Sequence, residues 1–199
     1  MDEITVTLKP DSISWDDIHD LLWTAHAKNR KAGMHMRAPS LPGEKMREMV
    51  ADGKCFVALD GEKLVGTCSF KMAVHPNWFN KGQKTAYCML EGVLPEYQGR
   101  GIYSSLIKTR DEHIIQAGAD LMEMNTAEKN TVVLHSLKKN GWRYVDFTCY
   151  KDSHHYSVVM AKWIKGCPFS RWKCWWMFNV TRIKVKLKYK PGRVRRLAI

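Results

Sequence analysis

Apolar residues recur along the chain with two periods, and their succession predicts the order of strands and helices. Residues 4–8 alternate apolar and polar side chains, as a half-buried strand does. Ile18, Leu21, Leu22 and Ala25 follow at helical spacing behind Ser14, a residue type that caps helices. The same patterns predict strands at 55–59, 63–74, 85–93, 121–124, 143–150 and 155–161, and helices at 44–51, 104–117 and 130–139.

This order, β-α-α-β-β-β-α-β-α-β-β, predicts an α/β chain of the α+β type, with a mixed sheet and helices on both of its faces. The pattern also predicts a main domain at 1–162 and a basic, Trp-rich extension at 163–199. Within the extension, Trp172, Trp175 and Trp176 suggest a short helix capped by Ser170. Residues 182–190 then alternate aliphatic or aromatic residues with cations, which predicts a strand.

Charge and cysteine content narrow the classes of protein. The net charge is +12, and residues 162–199 contain 12 basic residues and no acidic residue, so the excess belongs to the extension. The six cysteines lie far apart without ligand spacing, which argues against a zinc site and indicates a reducing compartment. No stretch approaches the roughly 18 apolar residues of a spanning helix. We therefore expect a cytoplasmic protein, either soluble or peripheral at the inner membrane face.

The most informative segment follows the strand at 85–93. Pro95 ends that strand, and Gln98, Gly99, Arg100 and Gly101 form a glycine-punctuated turn that leads directly into a helix. Glycines let the backbone approach a ligand closely, and a helix N-terminus favours negative charge. The turn therefore predicts a phosphate-binding site, which we call the phosphate seat. It lacks the Lys-Ser/Thr pair of a Walker loop and the third glycine of a dinucleotide fingerprint.

The turn resembles the pyrophosphate loop of the GNAT acetyltransferases, and the element order over about residues 3–162 is similar to the fold of that family. Asn130, with Gly141 and Trp142 eleven and twelve residues later, resembles the second landmark of the family. The resemblance implies acetyl-CoA as co-substrate and no metal. It implies that the strand before the turn splays at a bulge. The cofactor-binding residues it implies are Val93, Leu94, Gln98, Gly99, Arg100, Gly101, Ile102, Tyr103, Ser104 and Asn130.

Transfer of an acyl group to an amine requires that the amine lose a proton. Glu91 is the only carboxylate of strand 85–93, and an apolar surrounding would raise its pKa, which makes it the candidate catalytic base. A solvent-facing Glu91 and a water chain to bulk remain alternatives. Two positions depart from the family pattern: Leu137 replaces the tyrosine that often protonates the leaving thiolate, and Tyr103 replaces a small residue.

We therefore predict an N-acetyltransferase of the acyltransferase class EC 2.3.1, which transfers acetyl to a small-molecule or lipid-linked primary amine in a ternary complex. One alternative is a longer-chain N-acyltransferase using acyl-CoA or acyl carrier protein. The other is a non-catalytic module that binds membrane or nucleic acid. The sequence leaves three roles open for residues 163–199. The extension packs back on the domain, or it contacts an anionic membrane or acyl carrier protein, or, less favoured, it binds nucleic acid. A homodimer through 182–190 is a further expectation.

Overall fold

The computed structural model describes residues 4–73, 77–150 and 155–189. The strands are β1 Ile4–Leu8, β2 Lys54–Asp60, β3 Lys63–Ala73, β4 Thr85–Val93, β5 Leu121–Ala127, β6 Arg143–Thr148 and β7 Ser157–Trp163. The helices are α1 Trp15–Ala25, α2 Ala27–Lys31, α3 Gly43–Val50, α4 Ile102–Gln116, α5 Thr131–Lys139 and α6 Arg171–Lys188. Most predicted elements lie within a few residues of these bounds, and the short helix α2 was not predicted.

The seven strands form one mixed sheet in the order β1-β2-β3-β4-β5-β7-β6. All neighbours pair antiparallel except β4 and β5, which are parallel because α4 crosses over between them. The predicted fold class is confirmed.

Helices α1 and α4 pack on opposite faces of the sheet, and two glycines allow their close approach. A Cβ on Gly92 of β4 would lie 2.9 Å from a methyl group of Leu22 in α1. A Cβ on Gly66 of β3 would lie 3.0 Å from a methyl group of Leu106 in α4. We call these two sides of the sheet the α1 face and the α4 face. The main core lies against both, so β4 is a buried central strand with a helix on each side.

The predicted strand at 182–190 is wrong. Ser170 caps the helix as expected by accepting from the backbone N–H of Lys173, but that helix continues to Lys188. Cys174, Phe178 and Val185 recur at helical spacing and face inward. Phe178 packs on Tyr144 and Phe147 of β6, with ring centroids 5.1 and 5.9 Å apart. Burial of this stripe explains the helix, and Lys190 to Ile199 lie outside the described residues.

Candidate active site

A wedge opens in the middle of the sheet where β4 and β5 separate. These strands pair only from Thr85–Leu121 to Tyr87–Glu123. Beyond that point β4 stays paired with β3 through Val93, and β5 stays paired with β7 through Ala127. The apex of the wedge is therefore the Tyr87–Glu123 pair, and the predicted splay of the strand before the glycine turn is present.

The glycine turn joins the open end of the wedge to α4. Gly99 and Gly101 adopt φ of 78° and 80°, a left-handed conformation that favours glycine, and Gly101 is the N-cap of α4. No side chain within the described residues caps this helix, so its first N–H groups are free for a ligand. A cavity of about 300 Å³ lies at this helix start. Its backbone donors and the helix dipole make it suited to a phosphate or pyrophosphate group.

Most of the residues predicted to hold a cofactor line this cavity, namely Val93, Gln98, Gly99, Gly101, Ile102, Tyr103 and Ser104. Arg100 lies beside it, with its guanidinium 4.9 Å from the ring centroid of Tyr97, which is another wall residue. Asn130 is the N-cap of α5, and its amide donates to Thr126 Oγ1 at 3.0 Å. The turn is thus gathered into one concave seat, whereas the predicted residues Leu94 and Asn130 are not among those that line it.

The backbone at the end of β4 presents one donor to the wedge. The N–H of Leu94 donates to the carbonyl of Val65 in β3 at 2.9 Å and is therefore occupied. Successive N–H groups of a strand point to opposite edges, so the N–H of Val93 faces β5 and the open wedge. The side chain of Gln98 donates to the carbonyl of Val93 at 3.0 Å and ties the turn to the strand.

One extra residue in β4 decides where the carboxylate of Glu91 lies. Leu90 and Glu91 together oppose the single residue Cys68 of β3, and Leu90 has a φ of 53°. In a regular strand, residues four apart share a face, but this bulge places Glu91 on the α4 face and Tyr87 on the α1 face. A non-glycine residue in this conformation is strained by about 1–3 kcal/mol, and such strain is concentrated at functional sites.

The expectation of an apolar surrounding for Glu91 is wrong. Its carboxylate forms an ion pair with Arg110 of α4, whose side chain is only 1% exposed. The hydroxyl of Tyr103 donates to the second carboxylate oxygen at 2.6 Å. Arg110 also binds Asp111 at 2.7 Å. Both oxygens of Glu91 thus have partners inside the fold, and its role as catalytic base stays a prediction.

His26 holds the same bulge from the opposite face. Its Nε2 lies 3.0 Å from the carbonyl oxygen of Glu91, and the amide of Asn29 donates to its Nδ1 at 3.0 Å. A carbonyl oxygen can only accept, so the ring proton lies on Nε2, and the unprotonated Nδ1 is the nitrogen that accepts from Asn29. Burial lowers the pKa of His26, which favours this neutral form. The backbone of Glu91 is thereby fixed from the α1 face and its side chain from the α4 face.

The two departures from the family pattern have structural explanations. The ring of Tyr103 lines the cavity, while its hydroxyl is held by Glu91, so the bulky side chain forms a wall of the seat. Leu137 is buried in the core of the domain on α5. It therefore offers no proton to a leaving group.

A polar cluster that the sequence analysis missed occupies the apex of the wedge on the α1 face. The amide of Asn125 donates to the hydroxyls of Tyr87 and Tyr150 at 2.6 and 2.7 Å. Glu123 lies among these groups, and burial, followed by repulsion from Asp146, raises its pKa to about 7. A carboxyl that titrates near neutral pH is suited to general base catalysis. The signal was an acidic residue in the middle of a buried strand.

Groups of three or more His, Cys, Asp or Glu that could hold a metal ion are absent from 4–73, 77–150 and 155–189. In the same part of the chain, no helix is long and apolar enough to cross a membrane.

Comparison with known proteins identifies the family. The model of the acetyltransferase (GNAT) family matches residues 15–142, a span that contains the wedge, the glycine turn and α5. The chain therefore belongs to the GNAT family of acetyltransferases, and it is an acyltransferase by class.

Solved structures share the fold. The NatC complex bound to Gag peptide and CoA includes a chain of 14% identity with a TM-score of 0.62, covering 81% of this chain and 99% of that one. A GNAT acetyltransferase from Elizabethkingia anophelis with acetyl-CoA bound is 15% identical, with a TM-score of 0.58. The match covers 82% of this chain and 100% of that one. A GCN5-related N-acetyltransferase from Kribbella flavida is 18% identical, with a TM-score of 0.61. The match covers 81% of this chain and 98% of that one.

Proposed function

We propose that the protein transfers an acetyl group from acetyl-CoA to a primary amine by direct attack within a ternary complex. The observation that carries the proposal is the wedge, which has a phosphate seat at its open end and a carboxyl of raised pKa at its apex. Membership of the acetyltransferase family and the acetyl-CoA bound to a structural relative support the same donor.

The residues at the glycine turn fit a CoA pyrophosphate. The N–H groups of residues 99–104 and the uncapped start of α4 would bind its oxygens. The N–H of Val93 would bind in the wedge as an oxyanion donor. The acyl-CoA supplies the acyl group as a thioester. The protein contributes a fixed position for it and a fixed donor beside it.

Proton removal is assigned to Glu123 rather than to Glu91. An amine with a pKa near 10 is mostly protonated at neutral pH, so it must lose a proton before it attacks. The Glu123 carboxylate takes that proton, directly or through one water, on the α1 face of the wedge. Tyr87, Asn125 and Tyr150 orient the acceptor by hydrogen bonds. With Leu137 in place of an acid, the leaving group departs as the unprotonated thiolate, which is possible because alkyl thiols are weak acids, with a pKa of about 8.5 for free cysteine.

Calorimetric titration with acetyl-CoA and octanoyl-CoA tests the seat, and a screen of primary amines then tests transfer. Gly101→Ala is the probe variant and Gly118→Ala is its matched control. Both glycines have positive φ, both have open space for a Cβ, and they lie at opposite ends of α4. We expect micromolar binding of acetyl-CoA that Gly101→Ala weakens at least about tenfold and Gly118→Ala leaves unchanged.

The other outcomes separate the alternatives. Tighter binding of octanoyl-CoA with turnover would replace acetyl by longer-chain transfer. Binding without turnover on any amine would favour the non-catalytic module. No binding of either thioester would overturn CoA as the donor and favour acyl carrier protein.

A further inference from the structure

Helix α6 is fixed to the domain by one face only. Phe178 packs on the rings of β6, and Cys174 is buried on the same side. Arg182 and Lys186 both donate to one oxygen of Glu128, which lies in the turn between β5 and α5, at 2.8 Å. These contacts set the rotation of the helix, and they leave its opposite face directed away from the domain.

That outer face carries an apolar stripe, which the half-buried Asn179 interrupts between Trp176 and Ile183. Trp172, Trp176, Ile183 and Leu187 are 66%, 50%, 60% and 83% exposed. Their spacing of four, seven and four residues places them within about 60° of one another around the helix. The stripe is about 22 Å long at 1.5 Å per residue. The two tryptophans stack on each other with ring centroids 5.6 Å apart. Trp175, which is also exposed, lies next to this stripe.

Cations flank the stripe on both sides. Lys173 and Lys184 lie along one side, and Arg171, Arg182 and Lys186 lie along the other. Arg182 and Lys186 share the carboxylate of Glu128, whereas residues 162–199 themselves contain no acidic side chain that could pair with the other cations. An apolar stripe between two cationic edges is the arrangement of helices that lie in the interface of an anionic bilayer.

The same features argue against other occupants. A second copy would bring two wholly basic helices into contact, and like charges in a desolvated interface are costly. A nucleic-acid strand would need aromatic platforms along the surface, but the two tryptophans stack on each other and the rest of the stripe is aliphatic. Trp beside aliphatic residues and lysines instead matches the graded polarity of the headgroup region.

We propose that α6 is a membrane-docking helix, which inserts its Trp172–Leu187 stripe between the headgroups of an anionic bilayer while its inner face stays on β6. The proposal is independent of the reaction, because docking is measured without substrate. It gives the enzyme a position next to lipid-linked or membrane-concentrated amines.

Flotation of the full chain with vesicles tests the proposal. One set is neutral phosphatidylcholine, and the other contains about one phosphatidylglycerol in three lipids. Ile183→Ser probes the stripe, and Ile115→Ser on α4 is its control, because Ile115 is a 53% exposed isoleucine of another helix. Lys184→Glu probes the charged edge, and Lys108→Glu, an exposed α4 lysine, is its control.

We expect flotation with the anionic vesicles only. Ile183→Ser and Lys184→Glu should each weaken partition about tenfold, and the two controls should match wild type. Tryptophan fluorescence should shift to the blue on binding, and Trp172→Ala with Trp176→Ala should remove most of that shift. Recovery of the full chain in the soluble fraction with both vesicle types would overturn the proposal. Equal flotation of Ile183→Ser and wild type would also overturn it. So would the finding that the stripe mediates a dimer or a complex with acyl carrier protein instead of membrane binding.

Discussion

Two carboxylates on neighbouring central strands, Glu91 of β4 and Glu123 of β5, have opposite surroundings. Glu91 lies on the α4 face, where Arg110 and Tyr103 bind both of its oxygens. Glu123 lies on the α1 face, where burial and Asp146 raise its pKa to about 7. A buried carboxylate with a cation is a structural element, whereas a buried carboxyl beside a like charge is available for proton transfer. Burial alone does not distinguish the two roles, but the partners do.

The largest expected effect is on catalysis at the apex. Glu123→Gln should lower kcat about 10²- to 10⁴-fold, because the amide cannot accept the proton. In the wild type, log kcat/KM should rise with pH up to about 7, and the variant should lose this limb. Steady-state rates with acetyl-CoA and an accepted amine measure both. Glu62→Gln, an exposed carboxylate of the β2–β3 turn, is the control. A wild-type pH profile in Glu123→Gln, together with its loss in Glu91→Gln, would reverse the assignment.

The next effect is on stability at the α4 face. Arg110→Met should lower the free energy of unfolding by about 3–5 kcal/mol, because it leaves the buried carboxylate of Glu91 unpaired. The double variant Arg110→Met, Glu91→Met should recover much of this loss. Urea denaturation measures all three proteins, and additive losses in the double variant would contradict a coupled pair.

The pH dependence of stability should come from the other carboxylate. Because folding raises the pKa of Glu123 from 4.5 to about 7, its stabilising contribution is full below about pH 4.5 and is lost as pH rises through 7. The loss is about 3 kcal/mol. Folding lowers the pKa of His26, so its contribution changes with pH in the opposite direction. Stability from His26 is lost as the pH falls below 6.5, the ordinary pKa of histidine. The difference between wild type and Glu123→Gln in urea denaturation isolates Glu123, and a constant difference across this range would refute its raised pKa.

The smallest effect is at Tyr103. Tyr103→Phe should cost about 1.5 kcal/mol of unfolding free energy, because it removes a hydrogen bond to a charged group. In Tyr103→Phe, log kcat/KM should still rise with pH up to about 7, as in the wild type. Tyr144→Phe is a suitable control, since a partly buried ring is retained in both variants. An unchanged stability of Tyr103→Phe would mean that the hydroxyl does not support Glu91.

The sequence was sufficient for the elements that carry the cofactor seat. Strand 85–93 follows from a nearly continuous apolar run, and the left-handed turn follows from Gly99 and Gly101. The end of α5 follows from Asn140 and Gly141. Local chemistry determines such features, so a single sequence reveals them.

The face of Glu91 and the course of α6 have causes that are distant in the chain. The bulge is at Leu90, which carries no glycine signal, and it depends on pairing with β3 and on His26. Residues 182–188 alternate like a strand, but Phe178 and Val185 find a surface on the domain only in a helix. Lysine, arginine and leucine also favour helices, so tertiary packing and propensity together override the alternation.

The bulge at Leu90 also limits how this segment can change in length. Loss of that one codon would restore an uninterrupted ladder with β3, and one half of β4 would have to slide by a residue, about 3.3 Å. Sliding of the first half would move Tyr87 away from Glu123, and sliding of the second half would displace the glycine turn from α4. A substitution at position 90 changes the packing of a buried side chain but not the number of residues, so both halves keep their register. We therefore expect homologues to vary the residue type here far more freely than they vary the number of residues between Tyr87 and Gly99.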